Sequence, residues 1–190
     1  MGRKLAGFIL RLFGWNTNGA LPEGINKAVV VSAPHTSTWD FIIGRLTFWA
    51  IHVNVRFLIK KEAFFFPVGL LLKKLGGLPV ERSNASSMVD QVVKMFRNEE
   101  SLVVVITPEG TRKRVDKWKK GFYIIAQRAQ VPIALSYINY GNKTGGIGPV
   151  ITPSGNYEKD LEFIEDFYKN MVACHPERFN LSPQNNVVKN

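Results

Sequence analysis

The feature that most constrains this chain is a pair of β-branched runs with no charged residue inside them, Ala28-Val29-Val30-Val31 and Leu102-Val103-Val104-Val105-Ile106. A strand with one wet face alternates apolar and polar side chains. A strand that is apolar at every position must be covered on both faces. The stretches between and around these runs supply the cover. Met88, Val89, Val92, Val93 and Phe96 repeat at helical spacing after a capping Ser83 or Asn84, and residues 39–51, 121–130 and 157–173 also read as helices. Residues 56–60, 78–81, 132–137 and 145–153 read as further strands, with Pro79 placing its strand at an edge or a strand start. Strand–helix alternation around continuous apolar strands predicts one α/β domain, with a mixed, mainly parallel central sheet flanked by helices. A length of 190 residues fits one such domain.

Composition narrows the function. With 45% hydrophobic and 21% charged residues the chain is neither disordered nor collagen-like. Cys174 is the single cysteine, so no intrachain disulfide and no cysteine-based zinc site can form, and a reducing compartment is expected. His52 and His175 lack companion ligands at useful spacing, so no metal is expected. The excess of 25 Lys and Arg over 15 Asp and Glu gives a net charge of +10, which calls for a polyanionic partner. Nucleic acid is not the expected one, because the interleaved aromatics and basic runs of nucleic-acid modules are missing. An anionic membrane surface or a phosphorylated substrate remains.

At the N-terminus, Leu5, Phe8, Ile9, Leu12 and Phe13 fall on one helical face, with Arg3, Lys4 and Arg11 elsewhere. Arg11 interrupts the apolar core that a secretory signal needs, and no small-residue cleavage site follows. Residues 1–20 are therefore expected to form an amphipathic helix. Its apolar stripe either lies in a membrane interface or packs on the protein's own core. The longest uncharged apolar run, residues 63–72, is interrupted by Pro67 and is about half the ~18–20 residues that span a bilayer. Residues 21–175 are expected to form the folded domain, followed by a loose polar tail, 176–190.

Three segments carry unusual chemistry. His35 and Asp40 bracket a turn, Thr36-Ser37-Thr38-Trp39, directly after the first apolar strand. If Ser37 caps the next helix, Asp40 lies in its first turn and can face back towards the imidazole. A carboxylate on one ring nitrogen fixes the tautomer and leaves the other nitrogen to take a proton. The plain structural alternative is a capping box, which explains Asp40 without chemistry. Thr107-Pro108-Glu109-Gly110-Thr111-Arg112 follows the second apolar strand and presents a carboxylate, a hydroxyl and a guanidinium on one tight turn. Arg112 suits bidentate phosphate binding, although a solvated basic turn would look the same. In Gly76-Gly77-Leu78-Pro79-Val80-Glu81-Arg82, two glycines precede a short strand and an arginine leaves it.

In this order the segments resemble the glycerolipid acyltransferase family, whose members acylate glycerol-3-phosphate and lysophosphatidic acid. His35 to Asp40 matches that family's H-x-x-x-x-D block, Gly76 to Arg82 its glycine-to-arginine block, and Pro108 to Arg112 its P-E-G-T-R block. Val131-Pro132-Ile133 is similar to the fourth block, and Lys61-Glu62 to the segment between the first two. The similarity spans residues 28–137. Pro34 stands where the family often has Asn, and Leu135 where it usually has a second Pro. The resemblance implies a glycerol-3-phosphate acyltransferase-like fold. It also implies transfer of a fatty acyl group from a thioester, on coenzyme A or acyl carrier protein, to the hydroxyl of a lysophospholipid such as 1-acyl-glycerol-3-phosphate, with no further cofactor. His35 would be the general base and Asp40 its orienter. Arg82, Glu109, Gly110, Thr111 and Arg112 would hold the acceptor phosphate, with Lys60 or Lys61 as helpers. The protein would sit peripherally or monotopically on the cytoplasmic side of a membrane. Two alternatives stand beside this reading. One is a non-phosphate acceptor, such as the lyso form of an amino-acid lipid. The other is a non-catalytic lipid-binding relative, against which the intact His35–Asp40 pair argues.

Overall fold

The β-branched runs do lie at the centre. In the computed structural model, which describes residues 3–81 and 84–181, β2 (Lys27–Ser32) pairs in parallel with β5 (Leu102–Ile106) on one side and with β6 (Ile133–Asn139) on the other. Val29 sits between Val104 and Ile133, and Val29, Val30 and Val31 are all wholly buried. Beyond β5 come β3 (Val55–Lys60) and the edge strand β4 (Gly77–Val80), both parallel, with Pro79 on the edge as expected. Beyond β6 come β7 (Thr144–Ile151), antiparallel to it, and β1 (Asn16–Asn18), parallel to β7. The sheet order is β1-β7-β6-β2-β5-β3-β4, a mainly parallel α/β sheet.

Among the described residues, six α-helices flank it. They are α1 (Arg3–Leu12), α2 (Trp39–Ala50), α3 (Val68–Lys74), α4 (Ala85–Asn98), α5 (Gly121–Ala129) and α6 (Tyr157–Tyr168). β2–α2–β3 and β3–α3–β4 step one way along the sheet, whereas β4–α4–β5 and β5–α5–β6 step back. Right-handed crossovers therefore put α2 and α3 on one face and α4 and α5 on the other. α6 joins the second face: Ile164 and Tyr168 share a core with Phe96, Phe122, Ile125, Val29, Val104 and Leu135. The first face holds a thinner core of Ala28, Val30, Val53, Val55, Val103, Val105, Ala134 and Ile147 under Phe48 of α2.

Local signals explain three of the helix ends. The Asn84 side chain accepts from the Ser86 amide to start α4, and Asn156 does the same with Lys159 for α6. Gln130 stops α5 in the left-handed conformation.

Several features differ from expectation. β1 is polar and exposed along its length, so no periodicity announces it. Residues 68–74, which overlap the end of the apolar run, form α3. Residue 20 is not a structural boundary, since β1 belongs to the sheet and α1 packs on α2 through Leu10, Ile43, Leu46 and Ala50. The C-terminal segment is not loose where it is described. Leu181 is buried, the Trp118 indole donates to the Asn180 carbonyl at 3.1 Å, and Arg114 donates to the Asn180 side chain at 3.0 Å. Residues 182–190 lie outside the described residues. Among the described residues, no helix is long and apolar enough to cross a membrane.

α1 buries only part of its apolar surface. Ala6 and Leu10 are the buried residues, and Gly7 brings the helix close to Ala50. Leu5, Phe8, Leu12 and Phe13 are 47–70% exposed. Ala6, Gly7 and Leu10 face the packed seam, whereas Leu5, Phe8, Leu12 and Phe13 face out.

Candidate active site

The carboxyl ends of β2 and β5 are adjacent, so the two motif-bearing loops meet there. In the first loop, the Asp40 carboxylate turns back from the start of α2. Its Oδ2 accepts the amides of Thr36 at 2.7 Å and Ser37 at 2.8 Å, and Ser37 Oγ accepts the Trp39 amide at 3.2 Å. The N-cap of α2 is Thr38, which makes no side-chain cap bond, so these contacts hold the turn that leads into the helix. The same oxygen lies 3.6 Å from His35 Nδ1, in ion-pair range but beyond a hydrogen bond. The structural and chemical readings of Asp40 therefore coexist in one buried side chain. Its other oxygen, Oδ1, accepts the Tyr140 hydroxyl at 2.8 Å.

The second loop turns on Gly110, whose φ of +68° suits glycine. The Gly110 amide donates to the Thr107 carbonyl at 3.1 Å and the Lys119 amide to the Pro108 carbonyl at 2.8 Å. The Lys119 side chain covers Gly110, where a Cβ would come within 2.9 Å of its Nζ. Arg112 Nη1 donates a short hydrogen bond to Thr38 Oγ1, tying this loop to the first.

Glu109 departs from its expected place on the acceptor. It is 2% exposed, and its two carboxylate oxygens accept the His35 amide at 3.2 and 3.0 Å. Burial pushes its pKa up to about 8; the His35 amide opposes this and the Asp40 charge adds to it. Glu109 braces the loop that carries the imidazole. Burial also pulls the His35 pKa down, opposed by Asp40 and aided by Arg112. The imidazole is therefore held neutral and able to accept a proton near pH 7.

A cavity of about 830 Å³ opens beside this pair. His35, Asp40, Thr111, Arg112 and Lys119 form its polar part; Phe41, Gly44, Phe48, Phe57, Leu58 and Val105 form much of the rest. Gly110 also lines it. Lys60 and Lys61 are exposed at the end of β3 and are not among the lining residues. Arg82 lies outside the described residues. Lys119 belongs to a basic run that conceals its role in sequence. Tyr140 had no sequence signal, because its contact with Asp40 crosses 100 positions.

The imidazole and the carboxylate thus lie together at a cavity lined by both cationic and apolar side chains, within an α/β domain. The chain belongs to the acyltransferase family, whose model matches residues 17–138 and so encloses all four sequence blocks. It is an acyltransferase. No curated protein matches significantly. Among solved structures, it is similar in fold to the 1-acyl-sn-glycerophosphate (LPA) acyltransferase PlsC from Thermotoga maritima. That match has a TM-score of 0.63 and 18% identity, and covers 87% of this chain and 74% of the other.

Proposed function

We propose that the chain transfers a fatty acyl group from an acyl thioester to the hydroxyl of a lysophospholipid, with 1-acyl-glycerol-3-phosphate as the acceptor that fits best. The observation that carries this is His35 facing Asp40 at 3.6 Å, both lining the cavity. With Nδ1 turned to Asp40, Nε2 takes the acceptor's hydroxyl proton. The oxygen attacks the thioester carbonyl, the carbon–sulfur bond breaks, and the leaving thiolate recovers the proton from His35. Arg112 and Lys119 supply positive charge for a phosphate, which favours a phosphate-bearing acceptor over an amino-acid lipid. The apolar lining suits an acyl chain. Coenzyme A and acyl carrier protein are both acidic donors compatible with a net charge of +10.

The same reading puts the protein on an anionic membrane surface. On α1, Arg3, Lys4 and Arg11 flank the outward stripe of Leu5, Phe8 and Leu12 and, with His52, line a basic recess. A helix lying on its apolar stripe would set these cations at headgroup level. The deciding experiment uses purified protein with labelled acyl-CoA or acyl carrier protein and a panel of lyso-lipids in anionic vesicles. Phosphatidate as the main product is expected. Acylation confined to amino-acid lyso-lipids would overturn the acceptor assignment, and no acyl transfer with any pair would overturn catalysis.

A further inference from the structure

We propose that Tyr140 is a positioning residue of the His35–Asp40 pair, its hydroxyl fixing and charge-stabilising the Asp40 carboxylate from outside the cavity. The proposal rests on His35 acting as the base. Oδ2 of Asp40 is already held by two amides of its own turn. Among the described residues, Oδ1 has one donor, Tyr140, which lies just past the end of β6. Tyr140 is itself anchored independently of any ligand. Its amide donates to the Val172 carbonyl at 2.9 Å, and its ring meets Trp15 edge-on at 5.1 Å. With three donors on two oxygens, the carboxylate cannot rotate away from the imidazole.

Other charged and titratable groups also surround the pair. Glu109 accepts the His35 amide, and Arg112 reaches it through Thr38. Cys174 is close enough to the Tyr140 hydroxyl to influence it. The His175 amide donates to Thr36 Oγ1, Arg178 donates to the Thr36 carbonyl, and Glu177 lies between His175 and Arg178. Burial, then Asp40, then Cys174 push the Tyr140 pKa upward, so the phenol remains a donor across the working range.

The sign of the expected effect follows. Removing the hydroxyl leaves the Asp40 charge less compensated, which favours the imidazolium and raises the His35 pKa. The test is an NMR titration of labelled histidine, with His35 assigned by loss of its signal in His35→Gln. In Tyr140→Phe, which keeps the ring on Trp15, the His35 midpoint should rise by about half a unit to one unit, the scale of one hydrogen bond to a charged group. The acid limb of kcat/KM should move the same way. Turnover should fall roughly 3- to 10-fold, with KM for both substrates nearly unchanged. In an Asp40→Asn background, Tyr140→Phe should leave the midpoint where it is. An unmoved midpoint, or an equal shift in that background, overturns the proposal. If Tyr140→Phe does not fold, 3-fluorotyrosine at position 140 keeps the shape and donates more strongly. It should lower the midpoint, and no change again overturns the proposal. The titration needs no turnover, so the two readings fail separately. An inactive protein with a coupled His35 refutes the acyltransferase site alone, whereas an active one with an uncoupled His35 refutes this role for Tyr140.

Discussion

The two faces of the sheet are built to different standards. Under α4, α5 and α6 the core is deep, and Phe96, Phe122, Ile125, Leu135, Ile164 and Tyr168 are essentially buried there. Under α1, α2 and α3 it is thin. Among the described residues, eleven of the thirteen exposed large hydrophobic side chains belong to these three helices or their immediate flanks, and only Ile124 and Phe163 lie elsewhere. A monomeric soluble domain rarely leaves so much apolar surface concentrated on one side. The difference teaches that the deep core lies on one face, while the other leaves apolar surface exposed; in the function proposed above that surface meets lipid, with the His35–Asp40 turn at the edge between the two faces. The cavity extends to this second side, past Phe41, Gly44 and Phe48 of α2.

The sharpest test of this division is at the edge itself. His35→Ala should lower turnover by roughly 10²–10⁴-fold, the usual worth of a positioned base, while thermal stability changes little. Loss of stability in parallel with activity would show that the turn belongs to the structural half. The complementary change is Phe96→Ala on the deep face, away from the cavity. It should cost about 3–5 kcal/mol of stability, read by urea denaturation. The protein that stays folded should retain its kcat. A cost below about 1 kcal/mol would mean that the deep face is not the stabilising one.

Glu109 offers a smaller effect with a defined pH dependence. It is an acid whose folded-state pKa is raised, from 4.5 to about 8. Its protonated form is therefore favoured by folding. That contribution is fully present below about pH 4.5 and is lost as pH rises through about 8. Glu109→Gln keeps an acceptor for the His35 amide without the charge. Melting temperatures measured from pH 6 to 9 should fall with pH in the parent and stay flatter in the variant. Parallel curves would show that burial does not hold Glu109 protonated.

How much of this was legible in the sequence depends on the range of each interaction. β2 and β5 were legible because burial on both faces is written in consecutive residues. The His35–Asp40 relation was legible because five positions of chain contain it. Glu109 was not, because the same turn could show its carboxylate to solvent or to the His35 amide, and only the packing of β5 against β2 decides. Tyr140 and β1 were illegible for a related reason: one acts through a partner far along the chain, and the other is a strand without apolar periodicity. The orientation of α1 had a readable signal in Ala6 and Gly7, small residues that mark a close-packed seam and so turn Phe8 and Leu12 outward.

The smallest expected effect on stability carries the most weight for the open face. Phe8 and Phe13 are 58% and 66% exposed, so Phe8→Ser with Phe13→Ser removes little native packing. Such surface changes usually fall within about 0.5 kcal/mol each. In a bilayer interface, each large apolar side chain contributes up to about 1.5–3 kcal/mol, to which the basic flank adds attraction to anionic lipid. The double variant should therefore melt close to the parent yet lose most of its flotation with anionic liposomes. Parent binding should rise with anionic lipid content and fall with salt. If the double change instead unfolds the protein, the stripe is core and the contrast between the faces disappears. If the folded parent floats with no lipid mixture, the open face does not dock on membranes, and the enzyme must take its lipid substrates from solution.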